Sequence, residues 1–163
     1  MADTLAIVLY SNILLQLPIR LPSRLTILRT NYTLMLALLS VHHIAVICSD
    51  YAVSKQFYTQ ALGLEAIREV YREERGSYKL DLALNGQYLI ELFSFPETPA
   101  RLSRPEATGL RHLAFAVSDL DATVRGLEAQ QVAYEPIRVD EFTSRRFTFI
   151  QDPDGLPIEF YEV

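Results

Sequence analysis

From residue 41 onward, short apolar runs alternate with polar breaks, and each run has a readable period. Residues 41–48 are apolar and β-branched, which predicts a strand. Ser49 and Asp50 then have turn and helix N-cap character. Val53, Phe57, Ala61 and Leu62 recur at helical spacing, and Gly63 suits the C-terminal stop. Residues 66–71, 78–84 and 87–95 predict three more strands. Asn85-Gly86 joins the last two as a hairpin, because both residues tolerate positive φ. The order β-α-β-β-β then returns. Residues 111–118 predict a strand, and 120–130 a helix with Leu120, Val124 and Leu127 on one face. Residues 133–139 and 146–150 predict strands, Asp152-Pro-Asp-Gly155 a turn, and 156–161 a last strand. Residues 96–110, with Pro96, Pro99 and Pro105, predict a linker.

The two units share motifs as well as order. His43-Ile-Ala-Val-Ile-Cys-Ser-Asp50 matches His112-Leu-Ala-Phe-Ala-Val-Ser-Asp119, at an offset of 69 residues. Leu89-Ile-Glu-Leu-Phe93 matches Pro157-Ile-Glu-Phe-Tyr161, at an offset of 68. Two unlike motifs recurring at nearly one offset imply a duplicated structural unit. The expected fold is α+β, built of two βαβββ modules at about 40–95 and 109–163.

Alternation along the strands assigns their faces. Ile44, Val46 and Cys48 share one face of the first strand, and Leu113, Phe115 and Val117 share it in the repeat. These bulky faces suit packing on the helices. The opposite faces carry His43 with Ala45, and His112 with Ala114 and Ala116, which leaves room beside each imidazole. In the fourth strands Ile90, Leu92, Ile158 and Phe160 can pack, while Glu91 and Glu159 point away. Each module thus offers one His and one Glu on its non-helix face. A carboxylate in an apolar strand is costly without a partner, and here it occurs twice at the same place. Two imidazoles and two carboxylates suit one divalent ion: zinc, nickel, cobalt, manganese or ferrous iron. His42 lies on the other face and has Arg111 as its counterpart, so it reads as structural.

Charge narrows the partners. The net charge is −5; residues 1–34 carry +2 and the remainder −7. An acidic domain argues against nucleic acid or an anionic membrane as the partner and leaves a small molecule. Cys48 is the only cysteine, which points to a reducing, cytoplasmic setting. Residues 5–17 are too short and mixed for a membrane span. Residues 1–34 are read as an N-terminal extension outside the fold, with Met35 as an alternative start.

With these residues in hand, the chain resembles the vicinal oxygen chelate superfamily, also called the glyoxalase/bleomycin resistance/dioxygenase group. Val41-His-His-Ile-Ala45, Phe57-Tyr58 with Leu62-Gly63, Leu110-Arg-His-Leu-Ala-Phe115 and Asp152-Pro-Asp-Gly-Leu-Pro-Ile-Glu159 look like its small glyoxalase-related, YaeR-like subgroup. The resemblance covers residues 35–163. It implies two modules forming an eight-stranded open barrel around a metal, with His43, Glu91, His112 and Glu159 as ligands. It further implies a homodimer, and a substrate whose neighbouring oxygens chelate the ion. The ion acts as a Lewis acid on a developing enediolate, and Glu159 moves the proton as general base. Two glutathione-binding positions depart from the glyoxalase I pattern, with Ile47 where an Arg is expected and Phe95 where an Asn is expected. Apolar groups cannot pair a carboxylate, so lactoylglutathione is a poor candidate substrate. The expected activity is therefore a glyoxalase-type lyase or isomerase on another substrate with vicinal oxygens. A thioester epimerase, a ferrous extradiol dioxygenase and a non-enzymatic drug-binding protein are the competing classes, because one fold hosts many chemistries.

Overall fold

A computed structural model describes residues 36–163. The readings made for residues 1–34 lie outside the described residues. Leu39–Val163 form one compact unit, which holds both modules.

The first module runs β1 (Ile44–Cys48), α1 (Tyr51–Gln56), a π-helical turn (Phe57–Ala61), β2 (Glu65–Arg72), β3 (Ser77–Leu84) and β4 (Gln87–Ser94). The second runs β5 (Leu113–Val117), α2 (Leu120–Ala129), β6 (Arg138–Val139), β7 (Arg146–Gln151) and β8 (Pro157–Glu162). Each module folds as a separate four-stranded sheet, ordered β1-β4-β3-β2 and β5-β8-β7-β6. The first strand lies parallel to the fourth, and the other pairings are antiparallel. The registers repeat as well: Ala45 opposes Glu91, and Ala114 opposes Glu159.

Local chemistry explains the elements. Asp50 and Asp119 cap their helices by accepting from the amides of Val53 and Ala122. The first helix loosens into π geometry, closed by a Leu62 amide bond to the Phe57 carbonyl, and Gly63 leaves it at φ +69°. Asn85 and Gly86 both adopt positive φ in the β3–β4 turn. The helix-facing positions read from alternation are the core: Val46, Cys48, Ile90, Leu92, Leu113, Ile158 and Phe160 are buried, with Leu120 and Leu127 of α2 in the same cluster.

Three expected strands are shorter in the structure. β1 and β5 begin after the histidines, so His43 and His112 stand at the mouths of their strands. The segment expected as a strand over residues 133–139 pairs only at Arg138–Val139. Pro136 has no amide to offer a ladder, and Glu135 is held by single bonds instead: its amide to the Phe149 carbonyl, its carbonyl to Thr148 Oγ1.

The Asp-Pro-Asp-Gly turn does more than reverse the chain. Asp152 accepts from the amides of Asp154 and Leu156 and from the Tyr58 hydroxyl at 2.9 Å. Asp154 accepts from the Ser49 amide. Tyr58 and Asp152 are both buried, so this turn ties the first module's helix to the second module. Burial pushes the Asp152 carboxyl above its ordinary range, while these donors pull it back.

Candidate metal centre

Each module brings its own histidine and glutamate together. His43 Nε2 lies 3.1 Å from Glu91 Oε2, and His112 Nε2 lies 3.1 Å from Glu159 Oε2. The reason is the shared register. Each glutamate sits one step along the fourth strand from the residue opposite the start of the first strand, and the small residue beside each histidine leaves space between them. The carboxylates are mostly covered, at 15% and 13% side-chain exposure, whereas the imidazoles are about one-third open. The open faces around them carry Ala45, Ile47, Ala114 and Ala116.

Within one chain the four residues form two pairs. Among the described residues, no group of three or more His, Cys, Asp or Glu converges in a way that could hold a metal ion.

The surroundings of the pairs differ. In the first module the Lys79 ammonium lies 2.5 Å from Glu91 Oε1 and 2.9 Å from Asp81 Oδ1. Asp81 is buried and also receives Arg68 at 2.5 Å and the Tyr88 hydroxyl at 3.2 Å. Tyr88 stacks on the His43 ring, and His42 touches both. The Lys79 ammonium holds the Glu91 carboxyl below its ordinary range, helped by Tyr88. Burial alone would raise Asp81, but Lys79 and Arg68 together outweigh it and hold it low. In the second module Phe149 stands opposite Glu159, as Asp81 stands opposite Glu91. Phe149 meets the His112 ring edge-on at 5.4 Å. Among the described residues no Lys or Arg pairs with Glu159, and His112 Nδ1 is buried without a partner.

Sequence reasoning passed over Lys79, Asp81 and Tyr88. The signal was present in β3, where Lys79 and Asp81 alternate with the apolar Leu80 and Leu82 and so share the face of Glu91. Two arginines of the strand ends are committed elsewhere: Arg146 pairs with Asp121 and Glu162, and Arg72 with Ser77 and the faces of Phe93 and Phe95.

Each pair by itself offers two donors of the kind that a divalent ion takes. Nitrogen and oxygen donors 3.1 Å apart match neighbouring corners of a coordination shell with bonds of about 2.1 Å. Glu159 is a largely covered carboxylate without a counter-cation among the described residues, and a metal would supply that charge.

The chain belongs to the Glyoxalase/Bleomycin resistance protein/Dioxygenase superfamily, whose family model matches residues 40–160. It is 65% identical over 128 residues to the uncharacterized protein YaeR of Escherichia coli (strain K12), covering 78% of this chain and 99% of that one. It is 63% identical over 123 residues to the uncharacterized protein YwkD of Bacillus subtilis (strain 168), covering 76% and 96%. A crystal structure of the glyoxalase family protein from Enterococcus faecalis is similar at a TM-score of 0.71 and 47% identity, over 76% of this chain and 97% of that one.

Proposed function

We propose that the protein is a divalent-metal-dependent lyase or isomerase of the glyoxalase type. It acts on a small substrate with vicinal oxygens, at a site made of His43, Glu91, His112 and Glu159. The observation that carries this reading is the repetition of one His–Glu pair, at 3.1 Å and in equivalent register, in both modules. Since neither pair finds a third ligand among the described residues of its own chain, the first module of one copy completes the second module of another. In a two-fold dimer this makes two equivalent sites, each enclosed by an eight-stranded open barrel. The exposed, apolar Ile47 supports a face that a second copy covers. The functional unit in this reading is residues 35–163, working in the cytoplasm.

When bound, the ion supplies Lewis-acid polarisation of the substrate's oxygens. The residues divide the remaining work. Lys79 occupies one oxygen of Glu91, which restrains that carboxylate to a holding role. Glu159 has no Lys or Arg on it among the described residues and is the freer of the two, so it moves the proton between adjacent substrate carbons. The alanines beside the imidazoles leave the substrate its space. Ile47 offers no charge to a peptide carboxylate, which supports a substrate other than lactoylglutathione.

The test is metal analysis of protein purified without a histidine tag, on wild type, His43→Ala, His112→Ala and a refolded mixture of the two variants. Wild type holds about one divalent ion per chain, and each variant alone loses it. The mixture regains a fraction of the sites, because a mixed dimer carries one intact pair of modules. Metal-free wild type that takes up none on titration sinks the proposal, and a mixture that regains nothing sinks the shared site.

A further inference from the structure

A cavity of about 290 Å³ opens beside the second His–Glu pair, at the lower end of small-molecule sites. One wall is the segment between the modules, and another is the β6–β7 edge. Its lining holds four arginines, Arg101, Arg104, Arg111 and Arg138, against two carboxylates, Glu106 and Glu135. That is a local charge of +2 in a protein of net charge −5.

Two of the arginines are neutralised. Arg111 pairs with Glu106 at 3.2 Å, and Arg138 with Glu135 at 2.9 Å. Arg138 also lies over Phe147 and Phe149, at 4.9 and 5.1 Å from the ring centres. The other two are not. Arg101 donates to the backbone carbonyls of Leu110 and Arg111, which anchors the segment without cancelling the charge. Arg104 makes no ion pair among the described residues and only shares the field of Glu106, whose ion pair is with Arg111. Guanidinium groups suit the planar, two-point recognition of carboxylate and phosphate. Phe149 and His112 line the same cavity, so it borders the second His–Glu pair on the histidine's side.

We infer that this cavity is an anion subsite, in which Arg101 and Arg104 hold the carboxylate or phosphate of a small substrate whose neighbouring oxygens reach His112. The substrate class is then an anionic α-oxygenated small molecule. The second half of this inference rests on the metal-site reading; the anion subsite itself does not.

The full chain is titrated calorimetrically with inorganic phosphate and, separately, with malonate, as purified and after chelation. Saturable binding of one of them is expected, and which one distinguishes a phosphate-bearing from a carboxylate-bearing substrate. Arg104→Gln and Arg101→Gln each weaken it about tenfold, the loss of one charge-assisted contact, with or without metal. Arg104 is exposed, so its variant reads the subsite even where Arg101→Gln loosens the segment. No saturable binding, or binding indifferent to both substitutions, overturns the subsite. Binding lost on chelation and in Glu159→Gln but untouched by the arginine variants places the anion on the metal, which also overturns it while upholding the metal reading. Arginine-dependent binding in a chain that takes up no metal upholds the subsite and removes the metal reading.

Discussion

The two modules repeat one backbone and one His–Glu pair, yet they surround that pair with opposite chemistry. Around His43 and Glu91 stand Lys79, Asp81, Arg68 and Tyr88, a charged network with Asp81 at its buried centre. Around His112 and Glu159 the positions of Lys79 and Asp81 are taken by Phe147 and Phe149. The comparison teaches that a duplicated scaffold preserves where the donor atoms go, because register dictates that, while the neighbours remain free to differ. One carboxylate is held fast by an ammonium. The other faces an aromatic ring and an imidazole, and opens beside an arginine-lined cavity.

Substitutions that equalise the halves have graded effects. The largest is expected from Lys79→Met, which removes a cation from the buried Asp81 and from Glu91. Arg68 and Tyr88 still serve Asp81, so the loss is about 1–3 kcal/mol by urea unfolding. Adding Asp81→Leu recovers much of it, since the carboxylate that needed the lysine is gone. Failure of that rescue would mean the loss is felt at Glu91 rather than at Asp81, since methionine keeps most of the lysine's aliphatic length. A smaller effect is expected in the second module. Phe149→Ala loses packing against His112 and Arg138 and costs about 1–2 kcal/mol, less than a fully buried phenylalanine because Phe149 is half-exposed. The smallest separates the halves by pH. Arg146, with the Leu120 amide, holds the Glu162 carboxyl at about 2, below the ordinary 4.5. A lowered carboxylate adds stability that is fully present above 4.5 and is lost as pH falls toward 2. The melting temperature of Glu162→Gln therefore declines less steeply than wild type between pH 5 and pH 2. Parallel curves would show that this pair contributes nothing measurable, as many exposed pairs do.

Much of this architecture is legible in the order of residues alone. The duplicated motifs, the helix caps at Asp50 and Asp119, the Asn85-Gly86 turn and the buried faces of β1, β4, β5 and β8 all come from short-range rules of period and turn chemistry. The family assignment agrees with the motif reading. The extent of β6 was legible only in part: Pro136 marks where a ladder fails, but that Arg138 and Val139 alone find partners depends on β7. Nor was the role of Asp152, whose turn is local but whose partner Tyr58 lies 94 residues away.

The sequence by itself determined which side chains share a face, since alternation along a strand needs no knowledge of its neighbours. That is enough to place one histidine and one glutamate on the same side of each module. Only the tertiary structure decided what meets those faces: Lys79 on Glu91, Phe149 on His112, and four arginines around one cavity. Such contacts depend on sheet register and on the path of the segment between the modules. Both are set by the summed packing of the whole chain, and no local period records that sum.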